Sequence, residues 1–189
     1  MDIVLLDITE NALEKIGKYA GICYNSSQEP KACIKRAVAC KDKGHLATLR
    51  FASATFLVKG ISRVCSHQMV RSAHLSFLQR SQRYCEEDRA GFVIPDSLKT
   101  YESVQAHYQG SLELYKRLLI DGVRKEDARF VLPEATTTEL VVTGNFQAWN
   151  DFIALRADSH AQWEIRAVAK EINNILAKET DNNIFTWMP

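Results

Sequence analysis

The sequence predicts an α+β domain in which a mainly antiparallel central sheet is flanked by helices. Two observations predict this class. Apolar, β-branched runs occur at three widely separated places, and segments with apolar residues at helical spacing lie between and after them. The chain contains no internal repeat, low-complexity tract or linker, so residues 1–189 are predicted to form a single domain.

The N-terminal part of the chain is predicted to contain one strand and two helices. Residues 2–8 form an apolar run that includes β-branched residues, which is typical of a strand. The segment 9–24 carries apolar residues on one helical face. Pro30 suits the first turn of a second helix, which is expected to stop before Gly44.

The middle of the chain is predicted to form a strand followed by a helix. Residues 50–59 alternate and are rich in Phe, Thr and Val, so we expect a strand that ends at Gly60. Ser62 is a suitable N-cap for the next helix. Gln68 and Arg71 are three residues apart and are therefore expected to share one face of that helix.

The C-terminal half is predicted to contain three long helices, a helical turn and a strand. Residues 100–119 give the clearest helical periodicity. A short helical turn is predicted over 126–130, and a β-branched strand over 136–143. Asn145 is expected to cap the helix that follows this strand, and Ser159 is expected to cap the last helix.

The bulk properties exclude several classes of function. A net charge of +1 provides no field that would attract nucleic acid or an anionic membrane. Five cysteines without CxxC spacing argue against a disulfide framework and a structural zinc site, and they favour reduced thiols in a cytoplasmic protein. The histidines have no partners at metal-ligand spacing, so no metal is expected. The N-terminus does not resemble a signal peptide, and no stretch is long enough to span a membrane.

Two stretches of the chain combine arginine with aromatic and polar residues. Residues 66–84 contain three arginines together with glutamines and hydroxyl side chains, and residues 156–164 have the same character. A guanidinium is a planar fork of donors that fits a phosphate or a uracil carbonyl. The alternative is that these arginines only cover helix surfaces, but the presence of two such clusters favours an anion site.

Four parts of the chain, taken in order, form a longer pattern. The first consists of Ser62-Arg63 followed by Gln68, Arg71, Ser76, Ser81, Arg83 and Tyr84. The other three are residues 126–133, 145–155 and 156–164. This pattern resembles that of the flavin-dependent thymidylate synthase family, and the resemblance covers nearly the whole chain.

The resemblance implies the fold of that family and its reaction. Such enzymes convert dUMP to dTMP, taking a methylene group from methylenetetrahydrofolate and reducing equivalents from NADPH through FAD. It also implies a homotetramer with active sites between subunits, and no cysteine nucleophile. Expected partners are therefore the small molecules dUMP and folate, with neither nucleic acid nor membrane.

The resemblance also assigns roles to individual residues. Arg156 is implied as the catalytic residue that stabilises the uracil when its N3 proton leaves, and a cation placed where negative charge develops is a large catalytic term. The residues implied to bind substrate are Gln68, Arg71, Gln79, Ser81, Arg83, Tyr84 and Arg129. Those implied to bind the cofactor are Asn145, His160, Asp151 and Arg71.

The departures from the family pattern fall on the flavin side. The family signature opens with Arg-His-Arg, whereas this chain has Arg71-Ser72-Ala73. Upstream, a flavin-site hydroxyl, an acid and a histidine of the family are replaced by Ala47, Arg50 and Phe51. Further along, Gln147 replaces an arginine, and Asp151 stands where asparagine is common.

Two alternatives to a working flavin enzyme therefore stay open. One is a divergent homologue with weak or lost FAD binding that modifies C5 of a pyrimidine nucleotide by other chemistry, for example through Cys65 or Cys85. The other is a non-catalytic nucleotide sensor or partner subunit. Both keep the nucleotide-binding arginines.

Overall fold

The computed structural model describes residues 1–181 and 183–185. The strands are β1 Asp2–Ile8, β2 Ser53–Ser62, β3 Leu75–Gln79 and β4 Thr137–Asn145. The helices are α1 Ala12–Ile22, α2 Pro30–Asp42, α3 Arg63–Met69, α4 Glu102–Ile120, α5 Lys125–Ala128, α6 Phe146–Arg156 and α7 Trp163–Glu179. Short 3-10 helices cover Leu46–Phe51, Asp96–Leu98 and Arg129–Val131.

The four strands form one sheet in the order β1-β2-β4-β3. Neighbouring strands are antiparallel, because the end of one strand pairs with the start of the next. Thr9 N, just after β1, donates to Ser53 O at the start of β2 (2.9 Å), and Arg80 N, just after β3, donates to Glu139 O near the start of β4 (3.0 Å). The predicted α+β class with an antiparallel sheet is therefore confirmed.

By its contacts, the chain forms two compact units. Unit one comprises Met1–Asp2, Val58–Gln68 and Leu78–Leu140, and unit two comprises Ile3–Leu57, Met69–Phe77 and the chain from Val141 onward. Whether residues 1–189 behave as the predicted single domain stays a prediction.

Each unit has an apolar core of its own. In unit two, the Phe56 and Trp149 rings meet edge to face at 5.1 Å, and Trp149 Nε1 donates to Ala54 O at 3.0 Å. The fully buried core residues of unit one include Val58, Ile61, Cys65, Tyr115 and Ala128. Both cores are built from the strands and the apolar faces of the neighbouring helices.

Several predicted elements are confirmed. Strand β1 has the predicted bounds, and α2 begins at Pro30. Ser62 Oγ accepts a hydrogen bond from Cys65 N (3.0 Å) at the start of α3. Asn145 Oδ1 accepts one from Ala148 N (2.9 Å) in the first turn of α6.

Three predictions were wrong. Helix α3 ends at Met69, so Arg71 lies beyond it and does not share a helical face with Gln68. The second strand does not start at residue 50, because a 3-10 helix covers that region, and it continues through Gly60, whose φ of 66° needs a glycine. The last helix is capped by Gln162, whose Oε1 accepts from two backbone N–H groups, and not by Ser159.

Strand β3 was not predicted at all. It covers Leu75–Gln79, inside the arginine-rich segment that was interpreted as a binding motif. Its burial alternates, but its apolar residues do not follow that alternation, because Leu78 is exposed and Gln79 lies on the more buried face. The sequence therefore lacks the apolar alternation that marks a strand.

Candidate functional site

The segment that follows β3 carries several predicted nucleotide-binding residues and is held within unit one by Arg80. The Arg80 guanidinium lies 3.5 Å from Glu87 Oε1 and 3.6 Å from Glu139 Oε1, and it donates to Glu86 O at 3.2 Å. The Glu87 side chain is only 6% exposed. Burial raises the pKa of Glu87 above its ordinary value, while the charges of Arg80 and Arg63 oppose that rise. Arg80 therefore compensates a buried carboxylate at the base of this segment.

Arg83 lies beside a carboxylate and a cavity. Its Nε donates to Glu126 Oε2 at 2.8 Å, and its guanidinium lies 5.4 Å from the centre of the exposed Tyr84 ring. Arg124 is also ion-paired with Glu126, through the other carboxylate oxygen. A cavity of about 470 Å³ opens here, lined by Arg83, Tyr84, Glu86, Leu119, Gly122, Val123, Arg124, Lys125 and Glu126. Two guanidinium groups therefore share one carboxylate at the wall of a cavity large enough for a small anion.

Three other residues of unit one that are predicted to bind the nucleotide form hydrogen bonds within the protein. Gln79 Nε2 donates to Ser66 Oγ (3.0 Å) and Thr138 Oγ1 (3.2 Å). Ser81 Oγ accepts from the backbone N of Arg83 at 3.2 Å, which fixes the turn that presents Arg83. Arg129 Nε donates to the backbone oxygen of Glu126 at 3.0 Å. The structure thus brings Ser81, Arg83 and Arg129 to one local network around Glu126.

Gln68, the remaining substrate-side residue of unit one, lies in the last turn of α3. Its Nε2 is 3.5 Å from the backbone oxygen of Val64, four residues earlier.

The predicted flavin-side residues and Arg156 belong to unit two, as does Arg71. Arg71 is exposed in the turn after α3, and Arg156 is the half-buried last residue of α6. Asp151 accepts a hydrogen bond from Gln147 Nε2 at 2.7 Å. Exposed His160 has its Nδ1 2.8 Å from Asp158 Oδ1. Hydrogen bonds from the backbone and ring of His160 lower the pKa of Asp158, so this carboxylate is ionised and holds the imidazole.

Unit two also contains a largely apolar cavity of about 620 Å³. Its lining consists of Ala20, Cys23, Tyr24, Ser26, Arg36, Cys40, Gly44, His45, Leu46, Ala47 and Thr48. Arg36 is already committed, because it donates to Gly17 O and Ser27 O, both at 2.7 Å. The sequence indicated Ala47 as a departure from the family pattern, and the structure places it in this wall.

The sequence analysis missed Arg124 and Lys125 and gave Glu126 no role. All three lie at the start of α5, directly before the Asp127-Ala128-Arg129 run that was recognised. The signal that could have identified them is the sequence Arg124-Lys125-Glu126 itself. Its carboxylate lies between two cations and Arg129, the predicted substrate-binding arginine, and can therefore orient their side chains.

Three further features concern metal ligands, cysteines and membrane-spanning helices. Among the described residues, no group of three or more His, Cys, Asp and Glu side chains could hold a metal ion. All five cysteines are free thiols. Within residues 1–181 and 183–185, no helix is both long and apolar enough to cross a membrane.

Comparisons with known proteins agree on one family. The family model described as thymidylate synthase complementing protein matches residues 4–180. The flavin-dependent thymidylate synthase of Pyrococcus furiosus is 42% identical over 153 residues, a match that covers 76% of this chain and 63% of that protein. That of Geobacter sulfurreducens is 38% identical over 186 residues, covering 91% of this chain and 80% of that protein. The chain thus spans less than two thirds of the length of the Pyrococcus relative.

The fold is also similar to a solved structure. The crystal structure of flavin-dependent thymidylate synthase ThyX from Helicobacter pylori, complexed with FAD and dUMP, superposes with a TM-score of 0.82. The alignment covers 98% of both chains at 21% sequence identity. At that identity the likeness establishes the fold alone.

Proposed function

The chain belongs to the thymidylate synthase complementing protein family, and from that premise we propose that it is a flavin-dependent thymidylate synthase. In this proposal it methylates dUMP to dTMP with methylenetetrahydrofolate, FAD and NADPH. The observation that carries the proposal is the family match over residues 4–180, which includes every residue assigned to the site. The network of Ser81, Arg83 and Arg129 around Glu126 supports it, since a nucleotide phosphate needs several charge-assisted donors.

The substrate set of unit one has the chemistry that dUMP requires. Arg83 and Arg129 supply cations for the phosphate, and Ser81 supplies a hydroxyl beside them. Gln68 and Gln79 supply amides that can pair with the uracil edge or the sugar. Exposed Tyr84 offers a ring and a hydroxyl at the same segment.

Arg156 is proposed as the catalytic cation. Its position as the last residue of α6 places a positive charge at the negative end of that helix, which favours a fixed, charged guanidinium. A cation held next to the uracil would stabilise the charge left when N3 loses its proton. Arg71 is proposed to serve both substrate and cofactor.

The side chains of unit two that are predicted to bind the cofactor are of types that can form hydrogen bonds with a flavin nucleotide. The Asn145 cap accepts through Oδ1, which leaves its amide NH₂ group as a donor for a ligand. His160 keeps Nε2 for a ligand because Nδ1 pairs with Asp158. Arg71 adds an exposed guanidinium, and Asp151 can accept from a ribose hydroxyl. When bound, the flavin would supply the hydride that the pyrimidine requires and receive it from NADPH.

The proposal includes the family's assembly and compartment. We propose a homotetramer whose active sites receive residues from different subunits, acting in the cytoplasm. The free thiols are consistent with a reducing compartment.

The direct test is release of tritium from 5-tritiated dUMP with methylenetetrahydrofolate, NADPH and added FAD. We expect release that depends on both FAD and the folate. If the purified, folded protein releases no tritium at any flavin concentration, the proposed function is refuted.

A second candidate, a homologue that binds dUMP but holds flavin weakly, is favoured by the environment of Phe51 and Ala47. The Phe51 ring is 62% exposed and packs against Tyr19 at 5.7 Å, where the family has a histidine. Ala47 adds no donor to the 620 Å³ cavity, and Arg36 in its wall is committed to backbone oxygens. This candidate predicts calorimetric binding of dUMP with no flavin absorbance, and a stoichiometric flavin spectrum in the purified protein would exclude it.

A further inference from the structure

The cavity beside Arg83 contains a second guanidinium that neither the sequence analysis nor the comparisons assign. Arg83 and Arg124 both pair with Glu126, one at each carboxylate oxygen. The Arg124 side chain is 74% exposed, whereas Glu126 is 23% exposed. A largely covered carboxylate therefore holds two cations at the rim of one cavity.

The pairing leaves donors available on both arginines. Arg83 uses Nε on Glu126, and within the described residues its two terminal amino groups donate no hydrogen bond. Arg124 uses one terminal nitrogen on the same carboxylate. A guanidinium bound along one edge by a carboxylate presents its other edge in a fixed direction, which is the geometry that a phosphate accepts.

Lys125 also lines the cavity and contacts the segment that carries Arg83. Its Nζ lies 3.1 Å from Glu86 Oε1 and donates to Tyr84 O at 3.3 Å. These contacts join α5 to the segment that carries Arg83. The cavity lining therefore has three cations and two carboxylates, Glu86 and Glu126, for a net charge of +1.

We propose that Arg124 is a further phosphate-binding residue beside Arg83 and Arg129, and that Glu126 is the positioning residue that orients the Arg83 and Arg124 guanidinium groups. This inference rests on the proposed function, because it takes the phosphate to be that of a pyrimidine nucleoside monophosphate. Arg83 binds from the segment after β3 and Arg124 from the start of α5. Both guanidinium groups bind the phosphate from beside Glu126, which keeps them from turning to solvent.

The test compares binding of dUMP and deoxyuridine by titration calorimetry. Arg124→Ala is expected to weaken dUMP about tenfold, the effect of one solvent-screened charge-assisted hydrogen bond, and to change deoxyuridine binding less than twofold. The matched control is Arg89→Ala, since Arg89 is 94% exposed and its ion pair among the described residues is with Asp88. If Arg124→Ala matches Arg89→Ala, or weakens both ligands equally, Arg124 does not bind the phosphate.

Two substitutions of Glu126 test its positioning role. Glu126→Ala removes the acceptor for both arginines and is expected to weaken dUMP at least tenfold. Glu126→Gln keeps an oxygen that can accept from Arg83 Nε, so the expected loss is only about threefold. In turnover, KM for dUMP should change more than kcat. Equal losses in the two variants, with circular dichroism showing both folded, would overturn the positioning role.

The outcome can be separated from that of the proposed function. If the wild-type protein binds dUMP but shows no turnover, the proposed function fails, and the ranking of these variants still decides the inference. If the wild type binds no dUMP, titration with inorganic phosphate replaces it. Phosphate binding that is lost in Arg124→Ala but kept in Arg89→Ala supports the site, and no phosphate binding at all refutes it.

Discussion

Replacing Arg80 should destabilise the protein in a pH-dependent way. Arg80 compensates Glu87, whose side chain is 6% exposed. Removing one partner of a fully buried ion pair costs about 3–5 kcal/mol, because an uncompensated charge is left behind. Arg80 itself is 39% exposed, so solvent screens part of the interaction, and we expect Arg80→Ala to lose about 2 kcal/mol at pH 7.

The sign of the pH dependence follows from Glu87. Burial raises its pKa in the folded protein above the ordinary value of 4.5, so the folded state binds the proton more tightly than the unfolded chain. Stability is therefore lost as pH rises from 4.5 through the folded pKa. Without Arg80 the pKa rises further, since Arg63 is the remaining cation that opposes burial and the charge of Asp88 adds to the rise. The destabilisation by Arg80→Ala should accordingly be larger at pH 7 than near pH 5.

Urea unfolding at both pH values measures this effect. The control Arg89→Ala removes an exposed arginine and should change stability by less than about 0.5 kcal/mol. Adding Glu87→Gln to Arg80→Ala should recover most of the loss, since the buried charge is then gone. An identical loss at pH 5 and pH 7, or no recovery in the double variant, would show that Arg80 acts through packing instead.

Three other predictions concern packing, capping and catalysis. A Cβ on Gly17 would overlap the backbone of α2, so Gly17→Ala should lose about 3 kcal/mol in urea unfolding, whereas Gly110→Ala, with open space around it, should gain about 0.5 kcal/mol. Asn145→Ala should lose about 1 kcal/mol through the α6 cap, and Asn145→Asp should not; equal losses would rule out the cap. Arg156→Ala should lower kcat at least about 100-fold while changing the dUMP dissociation constant less than about threefold, and equal loss of both would make Arg156 a substrate anchor.

Local signals predicted the elements whose ends are set by neighbouring residues. Pro30 at the start of α2 and the caps at Ser62 and Asn145 act over three or four residues, so the sequence reveals them directly. Strand β3 could not be predicted in this way, because its pairing partner β4 is about 60 residues away and its apolar residues do not alternate in the sequence. The end of α3 could not be predicted for the same reason, because the helix stops where the chain turns into β3.

The site was predictable in its residue types but not in its pairings. Arg83 and Arg129 could be named from the sequence, yet nothing in it shows that both meet Glu126. The pairing of Arg80 with Glu87 likewise depends on the burial of that carboxylate, which only the fold determines. Charge clusters predict an anion site, and the tertiary structure decides which cations are committed to carboxylates and which present free donors.

The pairings bear on how the proposed site would bind a nucleotide phosphate in a chain of net charge +1. Within unit one, Arg80, Arg83 and Lys125 each have a carboxylate partner, so the segment has little long-range field to attract anions. In the proposed site the affinity would come from geometry, because a phosphate would find donors that Glu126 has already aligned and would not have to order them. An unpaired cluster of arginines would attract many anions, whereas paired ones favour an anion that fits between fixed guanidinium edges. Selectivity of the proposed site for a nucleotide phosphate would therefore depend on its carboxylates as much as on its arginines.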